Sequence, residues 1–336
     1  MRTRSRRRAP CWRNASAPPS WLAVGASATA GSYDLFNLAS DGTKTKVLVT
    51  FPVPAAEVAQ DGAFGCGRGY CMMLTQNPAA RTTTLRNFSF FNPALLNTYT
   101  LPFLAWNLNT NEAENDDDFY GITIIQDHTK TPATWEVARV DNGGKVTPIV
   151  DLTAAVGVTG TISQGATSYC GFGVNLLYVA VSRRGAGAGD TDTMITVDIA
   201  AKKIASTVQL NFPVLASHYA TCGGSEGPLS VGGAMVVSSG MGRHAVVVGA
   251  VDQKTGIFAP IDAADLPAAG GPAVVPFDIT PIMSGVSPFS MSYAAVLYSM
   301  KDRLPGLLFV SYPSNGRGSA TIVPLQALVY GIAEAF

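Results

Sequence analysis

Cysteine, histidine, arginine and acidic residues are the side chains here whose types could do chemistry. Four of the five cysteines, Cys11 (APCW), Cys66 (FGCG), Cys170 (SYCG) and Cys222 (ATCG), recur in similar surroundings. Cys71 is the exception. Their spacing lacks the close pairs of a zinc site, so no metal is expected. The favoured reading is a small buried hydrophobe at a crowded position. A disulfide such as Cys66–Cys71 across a tight turn is the alternative. Five cysteines and no clear signal peptide favour a cytoplasmic, reducing compartment over a secreted or organellar one.

Histidines number three, His128, His218 and His244. His218 and Cys222 could pair as base and nucleophile, but on an extended chain they lie about 13 Å apart. No catalytic residue is assigned. The acidic runs Asp116–Asp118 and Asp190-Thr191-Asp192 lack the spaced oxygens of a calcium loop and read as solvated turns. Glycine-rich pieces are not followed by a helix pattern, so they do not cradle phosphate. Asn14-Ala-Ser and Asn87-Phe-Ser are glycosylation triplets, relevant only to a secreted chain.

A cationic pattern is more informative. Arg81 and Arg86, His128 and Lys130, Arg183-Arg184, Arg243-His244, and Arg317 recur between strand-like runs. Glu57 and Asp61, Glu112 and Glu114, Asp116–Asp118, Asp262 and Asp265 fall in other connections. The bland reading is that loops are where charges go. The functional reading is a rim that binds an anionic small molecule or a partner's acidic segment through arginine.

The elements that would position these residues are strands. Residues 166–210 hold four strand-like runs: ATSYCGFG, LLYVAVS, MITVDI and IASTVQL. Short strands joined by tight turns make an antiparallel meander, which cannot bury its own faces. Its last hairpin recurs, with turns near residues 41, 93, 142, 200, 254 and 326. A spacing of roughly 50–60 residues lies in the range of propeller repeats. Strands like LLYVAVS recur as WLAVGAS, YCMMLTQ, FYGITIIQD, GAMVVSSG and GLLFVSY.

LLYVAVS followed by MITVDIAAKKIASTVQL resembles the repeat of YVTN-type and quinoprotein-like β-propellers. The resemblance implies an all-β propeller of six four-stranded antiparallel blades, with seven as the alternative count. It also implies that first strands line the axial channel and fourth strands lie outside. The repeats are expected at 9–53, 62–106, 107–156, 163–214, 216–267 and 288–336, with an insertion at 268–287. The terminal LVYGIAEAF is expected either as an outer strand or beside the N-terminal segment.

Residues 1–8 carry five arginines, and the first acid is Asp34. A transit-like segment, a signal peptide and the start of the repeat compete. The last is favoured, placing Cys11 where Cys170 falls and allowing the chain to be a piece of a longer product. With 47% hydrophobic and 14% charged residues and zero net charge, there is no global field for nucleic acid. No apolar run has the roughly 20 residues of a spanning helix.

Together these features favour a non-enzymatic interaction propeller that needs no cofactor and binds a protein or small anionic ligand on one loop face. Arg81, His128, Lys130, Arg183, Arg184, Arg243, Arg317, Tyr169 and His218 are its candidate residues. The alternative is a propeller hydrolase or lyase whose site at the channel mouth uses His218 with Tyr169 or Arg68. A quinone-cofactor dehydrogenase is a third reading that rests on fold resemblance alone.

Overall fold

Trp21 opens a strand of which five of six residues are buried, which a half-exposed sheet could not offer. The computed structural model describes residues 21–39, 42–67, 69–89, 92–110, 119–157, 160–170, 176–183, 193–209, 219–221, 234–238, 245–251, 258–265, 275–278, 291–297, 306–312, 319–324 and 329–334. In chain order the strands begin with β1 (Trp21–Ala26), β2 (Ser32–Leu38) and β3 (Lys44–Pro52). Next come β4 (Val58–Cys66), β5 (Tyr70–Asn77), β6 (Thr82–Ser89) and β7 (Ala94–Leu101). Then follow β8 (Leu104–Thr110), β9 (Tyr120–Asp127), β10 (Thr134–Asp141) and β11 (Val146–Asp151), and the single turn α1 (Thr153–Val156). The next eight are β12 (Gly160–Cys170), β13 (Leu176–Arg183), β14 (Thr193–Asp198), β15 (Lys203–Gln209), β16 (Tyr219–Thr221), β17 (Ala234–Ser238), β18 (Ala245–Val251) and β19 (Phe258–Asp265). The last five are β20 (Val275–Asp278), β21 (Met291–Leu297), β22 (Gly306–Tyr312), β23 (Ser319–Pro324) and β24 (Val329–Glu334).

These strands make six four-stranded antiparallel sheets among the described residues. Four sheets are plain meanders: β4–β7, β8–β11, β12–β15 and β16–β19. Their innermost strands meet in sequence, β4 with β8, β8 with β12 and β12 with β16, while β24 meets both β4 and β21. The fold is a six-bladed β-propeller, the architecture the repeat implied.

Closure differs from the expected repeat. β24 pairs with β1 as the innermost strand of the first sheet, so the chain's last strand completes its first blade. Of the two places expected for LVYGIAEAF it takes the one beside the N-terminal segment and not the outer one, so the 319–336 hairpin is split between two sheets. Cys11, which lies outside the described residues, was expected in the inner-strand place that β24 takes. Residues 268–287 are not merely an insertion, because β20 pairs with β23 as the outer strand of the sixth sheet. The pairing that joins the chain's ends leaves the last meander one strand short, and β20 supplies it.

Burial follows this geometry. Second strands pack on both faces: β5 is buried at all six central positions, and its residues divide between two cores. Met73 joins Leu35, Phe51 and Phe88 between the first and second sheets. Met72 and Leu74 join Leu85, Phe119 and Ile125 between the second and third. Ile122, Trp135, Val179 and Ile195 fill the next gap. A strand buried on both faces reads as a continuous apolar run, whereas outer β15 alternates between exposed and half-buried. Tyr33 of β2 stacks on Tyr330 of β24 at 4.7 Å, fastening the closure. Burial and the Tyr33 hydroxyl push Tyr330 up to about 12.

Candidate functional site

Loops between second and third strands share one face with the connections between blades, and hydrogen bonds to the main chain tie the two together. In the first blade Val53 N, just past β3, donates to Gly31 O in the β1–β2 loop at 2.9 Å. In the second, Thr83 Oγ1 donates to Phe103 O and accepts from Ala105 N, both at 2.9 Å. Gln76 Nε2 donates to Ala105 O at 2.6 Å. In the third, Leu152 N donates to Trp135 O at 2.7 Å, and Trp135 N donates to Thr153 Oγ1 at 2.9 Å. Buried backbone groups need partners, and these bonds make the face a firm platform.

Arg81 ends the β5–β6 turn on that face. Asn77 Oδ1 accepts from Ala80 N at 3.0 Å, closing the turn, and Arg81 then takes a left-handed φ of 56°. Gly31 takes the corresponding position before β2 with φ 71°. A side chain is disfavoured in that region and glycine is not. The second blade therefore carries an exposed arginine where the first carries glycine. Among the described residues no acid forms an ion pair with Arg81.

His128 opens the corresponding turn of the next blade and is half-buried. Burial lowers its pKa, the Arg81 charge lowers it further, and Asp127 opposes both. Two adjacent blades thus bring an arginine and an imidazole within electrostatic reach. Lys130 is placed differently. Its Nζ lies 2.6 Å from Glu136 Oε1 and 3.5 Å from Asp127 Oδ2, and these contacts raise its pKa. Asp127 also accepts from Thr129 N at 2.9 Å and from Thr129 Oγ1 at 2.6 Å. Lys130 is a local counter-ion in this arrangement.

Arg86 is in β6 and not in a loop. Its Nη2 bonds Glu57 Oε2 at 2.8 Å and its Nη1 bonds Thr75 Oγ1 at 2.6 Å, with the guanidinium almost wholly buried. Thr75 and Thr84 also donate to Glu57. Burial pushes that carboxyl up, but the three donors and the Arg86 charge more than offset it and hold the pKa below normal. Asp34 is bound likewise by Lys44 Nζ and Thr50 Oγ1, both at 2.6 Å, and its pKa is also held down against burial. Glu57, Asp34 and Glu136 were not singled out as internal partners, because each finds its cation on a different element.

The acidic half of the expected rim is corrected. Asp61 is in β4, and Asp262 and Asp265 are in β19. Glu112, Glu114 and Asp116–Asp118 fall between β8 and β9, first to second strand and not blade to blade; they lie outside the described residues. Only Glu57 of those acids occupies a described connection on this face. Tyr169 is also misplaced. It pairs with Leu177 near one end of its sheet, while Arg183 pairs with Gly160 at the other. It therefore stands across the blade from the loop face and from the start of β16, which follows His218. Arg183 ends β13. Arg184, Arg243, Arg317, His218 and Arg68 lie outside the described residues.

Cys66 and Cys71 form a disulfide. β4 and β5 place the two residues directly opposite, within bridging distance. The expectation of free, small hydrophobes is overturned for this pair, although both remain buried. Cys222 lies outside the described residues, and Cys170 ends β12. Asn87 is unsuited to glycosylation, being fully buried with its Nδ2 donating to Asn142 O. Among the described residues no three His, Cys, Asp or Glu side chains gather as a metal site. Among them too, no helix is long and apolar enough to cross a membrane.

No family model matches the sequence, and no curated protein matches it either. Among solved structures the chain is similar to Penicillium chrysogenum α-L-arabinanase complexed with arabinobiose. Identity there is 11%, over 92% of this chain and 91% of that one, with a TM-score of 0.47. It is also similar to a hypothetical selenium-binding protein from Sulfolobus tokodaii, at 9% identity over 95% and 75%, TM-score 0.45. A third is an oligogalacturonate lyase in complex with manganese, at 10% identity over 88% and 74%, TM-score 0.43. The ring of sheets defines the class, a six-bladed propeller; the likenesses assign no activity.

Proposed function

We propose that this propeller is a binding module whose loop face captures an anionic partner. The observation that carries the reading is Arg81, exposed without a described counter-ion on a left-handed turn of the loop face. Two other cations described near this face are already matched: Arg86 by Glu57 and Lys130 by Glu136. Arg183, at the β13 end, with Arg184, Arg243 and Arg317, which fall in the corresponding stretches of later blades, would extend the surface. Charge-assisted bonds from arginine to carboxylate are short and specific, which suits recognition of an acidic segment.

The test is capture of a fluorescent decaglutamate peptide at low salt, followed by anisotropy. Reversing Arg183, Arg184, Arg243 and Arg317 to glutamate together should weaken capture by about a hundredfold, two tenfold steps of lost charge-assisted contact. A quadruple variant that binds like the parent, or a parent that ignores the peptide, overturns the proposal.

A further inference from the structure

We propose that Tyr33 and Tyr330, stacked where the chain's last strand closes the first blade, are an oxidative cross-linking site at which a dityrosine bond locks the ring shut. The oxidant is hydrogen peroxide activated by a haem peroxidase. The bond joins one ring carbon beside each hydroxyl.

Placement is the first argument. β24 pairs with β1, and the register slips so that Val24 faces Gly331 while Gly25 faces Val329. Tyr330 is the residue left over, and a bulge of this kind re-aims its side chain. Tyr33 lies on β2, beyond β1, where it is opposite Ala26. Backbones two strands apart stand roughly 10 Å from each other. The two ring centroids are nevertheless 4.7 Å apart, with planes 30° from parallel. Buried Phe51 meets Tyr33 edge-on at 6.2 Å and fixes its ring. Both tyrosines are half-buried, held by packing yet open to a small oxidant. Among the described residues no other ring contact joins two phenols.

The chemistry suits this geometry. Each phenol gives up one electron and its hydroxyl proton, and one peroxide takes both pairs to become two waters. The phenoxyl radicals carry spin on the Cε carbons beside the oxygens. Coupling there uses p orbitals that stand perpendicular to the rings, so face-to-face stacking is the approach the new C–C bond requires. The hydroxyls hydrogen-bond to one another, which brings the flanking carbons together. Holding the partners in contact removes the entropy cost of their encounter. The two Cε hydrogens then shift to oxygen, both phenols are restored, and the pair has lost two hydrogens in all.

The place of the bond gives it a consequence. β24 is tied into its sheet by β1 alone, and it is the strand whose departure opens the ring. A link from residue 33 to residue 330 closes nearly the whole chain into one loop. Cross-links that close long loops restrict the unfolded chain most.

The test is to treat the dilute full-length chain with peroxide and horseradish peroxidase, isolate the monomer, and map it with trypsin. Dimerisation of N-acetyltyrosine in a parallel tube verifies the oxidant. The expected product is the peptide of residues 14–44 joined to that of residues 318–336, two hydrogens lighter than their sum, with dityrosine fluorescence. The linked monomer should melt about 5–10 °C higher than the untreated chain. Tyr33→Phe and Tyr330→Phe keep the rings but remove the oxygen that the one-electron step needs. Each should fold, give no joined peptide, and melt the same before and after treatment. Tyrosine oxidation in the parent without the 33–330 link, or links only between molecules, overturns the site. A linked monomer that melts like the untreated chain overturns its role in closure.

Discussion

Arg81 and Arg86 sit five residues apart, and the structure gives them opposite roles. Arg86 lies beneath the surface beside Glu57, and a buried charge stripped of its partner is costly. Arg86→Met should destabilise by about 3 kcal/mol in urea denaturation, because Glu57 is left unpaired. A loss below about 1 kcal/mol would show that the pair is a bystander. Acid should act on the same contact. Glu57 has a folded-state pKa held below its ordinary value, so its contribution is present above about pH 4 and fades as the pH falls through the folded value. The Glu57→Gln variant should therefore show a flatter fall in urea midpoint between pH 5 and pH 3; parallel curves would remove Glu57 from the account. Arg81 behaves the other way. Replacement by glycine relieves a left-handed backbone and should hold or raise stability by about 1 kcal/mol.

Hairpins are the scale at which the sequence was most legible. Asp141-Asn142-Gly143-Gly144-Lys145 and Asp198-Ile199-Ala200-Ala201-Lys202 make turns that are each closed by the leading aspartate, on the backbone two residues on in the first and three residues on in the second. The first aspartate accepts from Gly143 N at 3.0 Å in one and from Ala201 N at 2.8 Å in the other. Gly144 and Lys202 both take left-handed φ values, 78° and 53°. A Cβ at Gly144 would stand 2.7 Å from the Tyr99 ring, so Gly144→Ala should cost stability, whereas Lys202→Gly should not. Equal midpoints for the two variants would refute that contrast. The disulfide was legible only as one choice among several, because register and not spacing brings Cys66 opposite Cys71. Replacing both by alanine should cost about 2 kcal/mol, the stabilisation expected from so short a loop. A protein indifferent to reductant and to the double replacement would count against a structural bridge.

Closure belongs to the whole molecule. β24 covers the edge of β1, contacts β4 and β21, and places Tyr330 on Tyr33. A chain ending at Pro324 should leave the first sheet with three strands and the ring with an exposed edge. Loss of the cooperative thermal transition, with association on gel filtration, is the expected outcome. A truncated chain that melts like the full one would show that closure is dispensable.

The order of elements was written in local chemistry: β-branched and aromatic runs, aspartate-led turns, a repeating length. Those signals depend on neighbours a few residues away, so the linear text carries them, and the six second strands could be picked out by eye. Which strand completes which blade, which cation meets which acid, and which face a loop charge occupies depend on residues tens to hundreds of positions apart. Lys130 and Arg81 look alike in the chain. Only the folded ring reveals that Lys130 is matched within its own blade, whereas Arg81 stands exposed on a left-handed turn with no described counter-ion.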